Sequence, residues 1–248
     1  MAPIVAVHGA FNELWGPHEL HSRWLPALRD GLWHAGAHIQ DVDLRICFYG
    51  DLFRRDPEVE GLDAIEQSRA GAADLLEQVG GAEAVDSIVR FAASADRDRT
   101  LDLIATLTQR ADLNSRVLER FDATISADTR VVVAHSLGTI VAYRALLAHP
   151  EWRIDTFVTL GSPLGGSMVD TMLSPARGGV REFPTNIRRW VNVRAVRDVV
   201  ATDLDGHFSA PVEDRLVDNG HRAHDPIAYL NARATGVAIA EGLGHGFS

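Results

Sequence analysis

Short and almost uninterrupted apolar runs recur along the chain, and stretches with apolar residues at every third or fourth position follow them. The first run, Ile4 to Val7, is rich in β-branched residues and ends at a His-Gly pair. Continuous apolar character predicts a strand that is buried on both faces. From His18 to Gly36 the apolar residues take helical spacing. A strand followed by a helix is therefore predicted at the start of the chain.

The same criteria predict further strands and helices in alternation. The later predicted strands are Val42 to Tyr49, Arg130 to Ala134, Ile154 to Leu160, Trp190 to Val196 and, more weakly, Arg215 to Val217. A helix is predicted after Ala134, ending at His149-Pro150, and the segment from Pro226 onward is also predicted to be helical. This alternation predicts the α/β class, with a mainly parallel, doubly wound sheet that helices cover on both faces.

One segment departs from the alternation. No strand pattern occurs between Asp51 and Thr129, and the apolar residues there fall at helical spacing. This predicts a long all-helical insertion, residues 51–129, within a single domain that spans residues 1–248. The insertion could be a lid over a pocket, because insertions in open α/β folds often lie near the ligand crevice. It could also be a structural subdomain or an oligomer surface, and the sequence assigns no oligomeric state.

Composition excludes several classes of function. The 248 residues are 46% hydrophobic and 23% charged, which fits one compact domain with a sizeable core. A net charge of −10 without extended basic runs predicts that nucleic acid is not a partner. No apolar stretch approaches the roughly 20 residues that span a bilayer, so stable membrane insertion is not expected. The single cysteine, Cys47, and the absence of a signal-peptide pattern predict a soluble cytoplasmic protein.

The basic residues limit the possible chemistry further, because all 24 of them are arginine. A Schiff base, a P-loop lysine and a Ser-Lys dyad each need an amine that can lose its proton, so these are excluded. A serine nucleophile would need histidine or a carboxylate as its base.

Two histidine pairs raise the question of a metal. The pairs are His18 with His21 and His34 with His38, each at a spacing that can place two imidazoles on one helix face. Neither has the glutamate of the zinc hydrolase motif, so no metal site is predicted, and no cofactor is predicted either.

Ser136 lies where a predicted strand gives way to a predicted helix. In "AHSLG", small residues stand two positions before and two positions after the serine. This is the form of a nucleophile elbow, a turn so tight that larger flanking residues would collide with neighbouring backbone. The N–H groups of the following helix would favour negative charge beside the serine hydroxyl. The alternative is a helix-capping serine without a chemical role.

With this turn, the sequence resembles the α/β-hydrolase superfamily, in particular its lipases and serine esterases. The resemblance is carried by "VAVHGA", "AHSLG" and "LGSPLGG", and by an aspartate and a histidine later in the chain. It departs from the family at Ala134, where glycine is usual, although one extra methyl group should fit the turn. The resemblance implies the α/β-hydrolase fold and a serine hydrolase that cleaves a small-molecule carboxylic ester through an acyl-enzyme intermediate.

The resemblance also implies which residues act together with Ser136. The acid of such enzymes follows a strand at its carboxyl end, which implies Asp198 after the strand Trp190 to Val196. Three other aspartates are less favoured alternatives, namely Asp203, Asp205 and Asp170. The base follows the last strand, which implies His224, directly before a helix start at Asp225-Pro226; His221 is the alternative.

Further residues are implied around the serine. The backbone N–H groups of Ala10 and Leu137 would form the oxyanion hole. His135 is expected to pack or hydrogen-bond beneath the turn, and Phe11 and Leu164 are predicted to line the substrate pocket.

Two other functions fit the same residues. One is an acyltransferase or thioesterase, or an enzyme acting on a lactone, with the same triad and a different acceptor. The other is a non-catalytic ligand-binding protein, because a fold does not imply an activity. The apolar insertion and the space left by Gly165-Gly166 favour an uncharged or apolar ester as the substrate.

Overall fold

The computed structural model describes residues 4–39, 41–79, 102, 111–166, 169, 173 and 180–245, with backbone alone for 72–79 and 111–112. Its centre is a six-stranded sheet in which all neighbouring strands are parallel. The strands are β1 (Ile4–Val7), β2 (Leu44–Cys47), β3 (Val131–His135), β4 (Ile154–Leu160), β5 (Ile187–Ala195) and β6 (Glu213–Val217). Their order across the sheet is β2-β1-β3-β4-β5-β6.

Helices flank this sheet. Those within the described residues are α1 (Pro17–His34), α2 (Pro57–Glu60), α3 (Leu62–Val79), α4 (Ala111–Asp122), α5 (Leu137–Ala148), α6 (Pro226–Asn231) and α7 (Arg233–Gly242). Short 3-10 turns occur at Gly50–Phe53 and Gly220–Arg222. The predicted fold class, an α/β doubly wound parallel sheet, is confirmed.

Alternate residues of β3 contribute to two separate apolar clusters. Val131 and Val133 pack in the cluster that contains α1, α6 and α7, whereas Val132 and Ala134 pack in the cluster that contains α4 and α5. Successive side chains of a strand point to opposite faces, so helices cover the sheet on both sides. This double burial explains why the strands appear in the sequence as continuous apolar runs.

The first helix lies very close to the two helices at the other end of the described chain. A Cβ atom on Gly31 of α1 would lie 2.1 Å from the carbonyl oxygen of Leu230, and one on Gly236 of α7 would lie 1.9 Å from the carbonyl oxygen of Gly31. These are backbone atoms that cannot move aside cheaply. The crossing of α1 with α6 and α7 therefore requires glycine at both positions.

Between β2 and β3 the described elements are helical. In α4 the buried residues Leu113, Val117 and Phe121 belong to the same apolar cluster as α5, so α4 is part of the helical layer on the sheet. Residues 80–101 and 103–110 of the predicted insertion lie outside the described residues, and the lid role stays a prediction. No described helix is both long and apolar enough to cross a membrane.

The parallel strands bring several loops to one edge of the sheet. Val7 pairs with Ala134, and His135 pairs with Leu160, so the loops after β1, β3 and β4 begin at the same level. The loops that follow β5 and β6 leave from this edge too, because all strands run in the same direction. In open α/β sheets this is the edge where ligands bind.

Candidate active site

Ser136 occupies the sharp turn between β3 and α5. Its backbone angles are φ 54° and ψ −127°, a region that residues other than glycine rarely adopt. The Ser136 N–H donates to the carbonyl oxygen of Leu160 at 3.0 Å, and its own carbonyl accepts from the Thr139 hydroxyl at 2.7 Å. Its side chain makes no capping hydrogen bond to α5, so the helix-capping interpretation is not supported. Backbone strain of this kind is concentrated at functional sites.

The small residues around Ser136 are required by close backbone contacts. A Cβ atom on Gly138 would lie 2.4 Å from the carbonyl oxygen of His8 and 2.7 Å from that of Val7. A Cβ atom on Gly9 would lie 2.8 Å from the Cβ of Ser136. Ala134 is completely buried, so its methyl group is accommodated beneath the turn. The loop after β1 and the turn after β3 therefore pack directly against each other.

The structure brings Ser136, His224 and Asp198 into a hydrogen-bonded line. The Oγ atom of Ser136 lies 2.9 Å from Nε2 of His224. The opposite ring nitrogen, Nδ1, lies 2.7 Å from Oδ2 of Asp198. With the carboxylate on the Nδ1 side, Nδ1 carries the proton and Nε2 accepts from the serine hydroxyl.

Asp198 is surrounded by hydrogen-bond donors. The Tyr229 hydroxyl lies 2.6 Å from Oδ2, and the N–H groups of Val200 and Ala201 lie 2.9 Å and 3.3 Å from Oδ1. Burial by itself raises the pKa of Asp198, but the hydrogen bond and charge of His224, with the donors Tyr229 and Val200, outweigh it and lower the pKa. The carboxylate is therefore ionised at neutral pH although its side chain is inaccessible to solvent.

His135 supports the loop that carries His224. Its Nε2 atom lies 3.0 Å from the carbonyl oxygen of His224, to which it donates, and the two ring centroids are 4.7 Å apart. Burial and, to a smaller extent, the neighbouring His224 lower the pKa of His135 to about 3. His135 is therefore neutral. The structure places it beneath the turn, where it makes a hydrogen bond.

The loop after β1 is fixed by its own side chains. His8 donates from Nδ1 to the carbonyl of Gly9 at 2.8 Å and accepts at Nε2 from the Tyr49 N–H at 3.1 Å, so it is neutral. Burial lowers the pKa of His8 to about 4. The Asn12 amide donates to the carbonyl oxygens of Gly9 and Ala10, at 3.0 Å and 2.9 Å. The carbonyls of this loop are thereby held by side chains of the loop itself.

The two amides predicted to bind an oxyanion belong to these two segments. Ala10 lies in the loop after β1, and Leu137 is the first residue of α5, directly after Ser136. Within the described residues, neither N–H group donates a hydrogen bond to the protein. Both amides therefore remain available as hydrogen-bond donors.

A cavity of about 280 Å³ reaches both amide-bearing residues, Ala10 and Leu137. Phe11 lines it together with Tyr49 and Phe53. Charged residues also line the cavity, namely Glu13, Arg54, Arg55 and Asp102. Arg55 is engaged by Glu60 at 3.2 Å and Asp102 at 3.7 Å.

Leu164 is not among the described residues that line this cavity. It is completely buried in the apolar cluster beneath α5, and its carbonyl accepts a hydrogen bond from Arg181 at 2.6 Å. The side chain of Leu164 packs in the core, and its role in the substrate pocket remains a prediction.

Three of the four alternatives to Asp198 and His224 are among the described residues, and each is exposed at the surface. Asp203 pairs with Arg194 at 3.0 Å, and Asp205 is exposed in the same loop. His221 is exposed in the 3-10 turn before His224. Asp170 lies outside the described residues. In the part of the chain that the structure describes, no three potential metal ligands lie close enough together to hold a metal ion. The two histidine pairs therefore do not belong to such a cluster.

Sequence reasoning did not find two residues that shape the site. Tyr229 contacts Asp198, which is 31 positions away, and no local pattern indicates such a contact. Gly161, at the end of β4, has φ +56°, and a Cβ atom there would lie 2.9 Å from Asp198 Oδ2 and 3.1 Å from His224 Nδ1. The position of this glycine at the start of "GSPLGG" could have indicated a close approach.

No family model matches this sequence, and no curated protein matches it. A solved structure similar to this chain is the esterase domain from a Rhodothermus marinus protein. That domain is 14% identical to this chain; the match covers 98% of this chain and 85% of that one, with a TM-score of 0.39. Function has to be inferred from the geometry of the site.

Proposed function

We propose that the protein is a serine hydrolase of the α/β-hydrolase superfamily that cleaves a carboxylic ester. The observation that carries this proposal is the hydrogen-bonded line from Ser136 through His224 to Asp198, with distances of 2.9 Å and 2.7 Å. In such a line the imidazole can take the serine proton while the ionised carboxylate stabilises the imidazolium. The strained backbone of Ser136 and the two unengaged amides support the same chemistry.

The reaction proceeds in two halves. In the first, Ser136 Oγ attacks the ester carbonyl while His224 Nε2 takes the hydroxyl proton, and the N–H groups of Ala10 and Leu137 bind the resulting oxyanion. The C–O bond of the leaving group then breaks, and His224 returns the proton to the departing alcohol. In the second half, water attacks the acyl-serine while His224 takes its proton. The bond between the acyl carbon and Ser136 Oγ then breaks, His224 returns the proton to Ser136, and the carboxylic acid is released. Asp198 holds His224 in the tautomer with the proton on Nδ1 and remains ionised throughout.

The cavity beside the oxyanion amides favours a small ester. Its volume of about 280 Å³ is just below the roughly 300–1,000 Å³ of typical small-molecule pockets. Phe11, Tyr49 and Phe53 provide apolar surface for an acyl group. The expected substrate is therefore an uncharged ester with a short acyl chain.

The test has a covalent part and a catalytic part. A fluorophosphonate should label the wild-type protein and the control Ser22→Ala, whose serine is exposed on α1, but should not label Ser136→Ala. With p-nitrophenyl esters of graded chain length, Ser136→Ala should lose several orders of magnitude in kcat/KM, because the triad acts as a unit. Equal labelling and equal turnover by Ser136→Ala would refute the proposal.

The acid is tested with a pair of isosteric variants. Asp198→Asn should lower the labelling rate by about 10³- to 10⁴-fold, because an amide no longer favours the tautomer with the proton on Nδ1. Asp203→Asn in the same loop should leave the rate within twofold of wild type. Product analysis with water and with added alcohol separates hydrolysis from acyl transfer.

A further inference from the structure

Tyr229 of α6 contacts the oxygen atom of Asp198 that also binds His224. Its hydroxyl lies 2.6 Å from Oδ2, and Nδ1 of His224 lies 2.7 Å from the same atom. Tyr229 is completely buried, so water does not compete for this contact. One carboxylate oxygen therefore has two donors, one from the base and one from the tyrosine.

The direction of the tyrosine hydrogen bond is fixed by a third group. The backbone N–H of Ala195 donates to the Tyr229 hydroxyl oxygen at 2.8 Å. Because an N–H can only donate, the hydroxyl oxygen is the acceptor there, and its own proton is directed to Asp198. Burial raises the pKa of Tyr229, and the charge of Asp198 raises it further, so the hydroxyl stays protonated.

The second carboxylate oxygen is held separately. Oδ1 of Asp198 accepts from the N–H groups of Val200 and Ala201, at 2.9 Å and 3.3 Å. The loop backbone therefore fixes one oxygen, and Tyr229 fixes the other. Without the hydroxyl, the carboxylate would keep its position in the loop but would lose the contact that sets its rotation toward His224.

We propose that Tyr229 is a positioning residue of this site, which orients Oδ2 of Asp198 toward His224 and takes part of its negative charge. The inference depends on the proposed function. Two consequences follow from removal of the hydroxyl. The carboxylate is less well oriented, which slows the reaction of Ser136, and its undivided charge stabilises the protonated imidazole more strongly, which moves the onset of reactivity to higher pH.

Other charged or titratable groups near this pair are few among the described residues. The ring centroid of His135 lies 6.0 Å from that of Tyr229, and His135 is neutral because its pKa is lowered to about 3. Arg194 of β5 is a charged group that also acts on Tyr229. Tyr229→Phe leaves both residues in place, so a shift of the profile relative to wild type is attributable to the Tyr229 hydroxyl.

The test measures the rate of fluorophosphonate labelling between pH 5 and 9 for wild type, Tyr229→Phe and the control Tyr143→Phe. Tyr143 is a buried tyrosine of α5 whose hydroxyl donates to the carbonyl of Glu182 at 2.7 Å, away from the triad. Tyr229→Phe should lower the maximal rate about tenfold. It should also raise the midpoint of the pH profile by about half a unit, whereas Tyr143→Phe should change neither.

The outcomes separate the two proposals. An unchanged midpoint in folded Tyr229→Phe, with or without a slower rate, would overturn the inference for Tyr229. Labelling that does not depend on Ser136 in the wild-type background would instead overturn the proposed function. If Tyr229→Phe does not fold, 3-fluorotyrosine at position 229 is a stronger donor of the same shape. It should move the midpoint to lower pH, and an unchanged midpoint there also overturns the inference.

Discussion

His135 Nε2 lies 3.0 Å from the carbonyl oxygen of His224. His135 directly precedes Ser136 in the chain, so it holds the loop of the histidine to which Ser136 is hydrogen-bonded. The turn that carries Ser136 and the loop that carries His224 are therefore joined by a direct hydrogen bond. A change at position 135 should affect the distance between Ser136 and His224 without removing either side chain.

His135→Phe should destabilise the protein and slow labelling of Ser136. The substitution keeps an aromatic ring but removes the hydrogen bond from position 135 to the partly buried carbonyl of His224, which costs about 1 kcal/mol in the free energy of unfolding. His135→Gln retains a donor N–H and should recover most of both losses. Urea unfolding at pH 8 and labelling kinetics measure the two effects. Identical stability of the Phe and Gln variants would show that the hydrogen bond has no energetic role.

The stability of the protein should fall below neutral pH because of two buried histidines. Burial lowers the pKa of His8 to about 4 and that of His135 to about 3, whereas both are near 6.5 in the unfolded chain. The unfolded chain therefore binds more protons below pH 6.5. The stabilisation is complete above that pH and is lost progressively as the pH falls toward the folded values.

The size of this loss can be measured by urea unfolding at pH 8, 6.5 and 5. At pH 5 each histidine should contribute a loss of about 2 kcal/mol in the free energy of unfolding. His135→Gln lacks one of the two groups and should show about half of the loss. A free energy of unfolding that is constant from pH 8 to 5 in wild type would contradict the prediction.

Gly161→Ala should disrupt the site both by backbone strain and by contact of the new Cβ atom with Asp198 and His224. The added Cβ would lie 2.9 Å from Asp198 Oδ2 and 3.1 Å from His224 Nδ1, at a residue with φ +56°. Gly36→Ala is a matched control, since Gly36 has φ +80° and nothing within 4 Å of the added atom. Both variants should lose about 1–2 kcal/mol from strain.

Only the variant at Gly161 should also slow labelling of Ser136, by tenfold or more, because it displaces the carboxylate or the imidazole. Thermal unfolding and labelling kinetics of the two variants are compared. Full reactivity of Gly161→Ala would show that the triad tolerates the displacement.

Ser136→Gly should make the protein more stable than Ser136→Ala. Both variants remove the hydroxyl, but glycine adopts φ 54° and ψ −127° at little cost, whereas alanine retains the strained Cβ. The expected difference is about 1 kcal/mol in the free energy of unfolding, measured by urea titration of the two variants. Equal stability, or a less stable glycine variant, would show that the turn does not store strain.

The strands and the serine turn were predictable because local sequence determines them. The continuous apolar run in β3 follows from burial on both faces, and the small residues of "AHSLG" follow from contacts within one turn. The start of β5 was misplaced, since the strand begins at Ile187 rather than Trp190. Arg188 and Arg189 extend it because they pair with carboxylates on neighbouring elements, Asp155 for the first and Glu213 and Glu241 for the second.

The contacts of the site that join distant segments were not predictable. The hydrogen bonds of Tyr229 with Asp198 and of His135 with His224 depend on how α6 and the loop after β6 pack on the sheet. The same limit applies to Leu164, whose burial depends on packing beneath α5 and on Arg181, 17 positions further along the chain. A sequence motif gives the position of such a residue in the chain but not the direction of its side chain.

The close crossing of α1 with α6 and α7 has a consequence for biosynthesis. The apolar side of α1, with Leu20, Trp24 and Leu28, is covered by a segment that leaves the ribosome last among the described helices. The side of α1 that faces α6 and α7 therefore stays exposed during synthesis until those two helices have emerged, and transiently exposed apolar surface of this kind makes a chain prone to aggregation. This packing is completed only when Gly31 and Gly236 bring the helix backbones into contact.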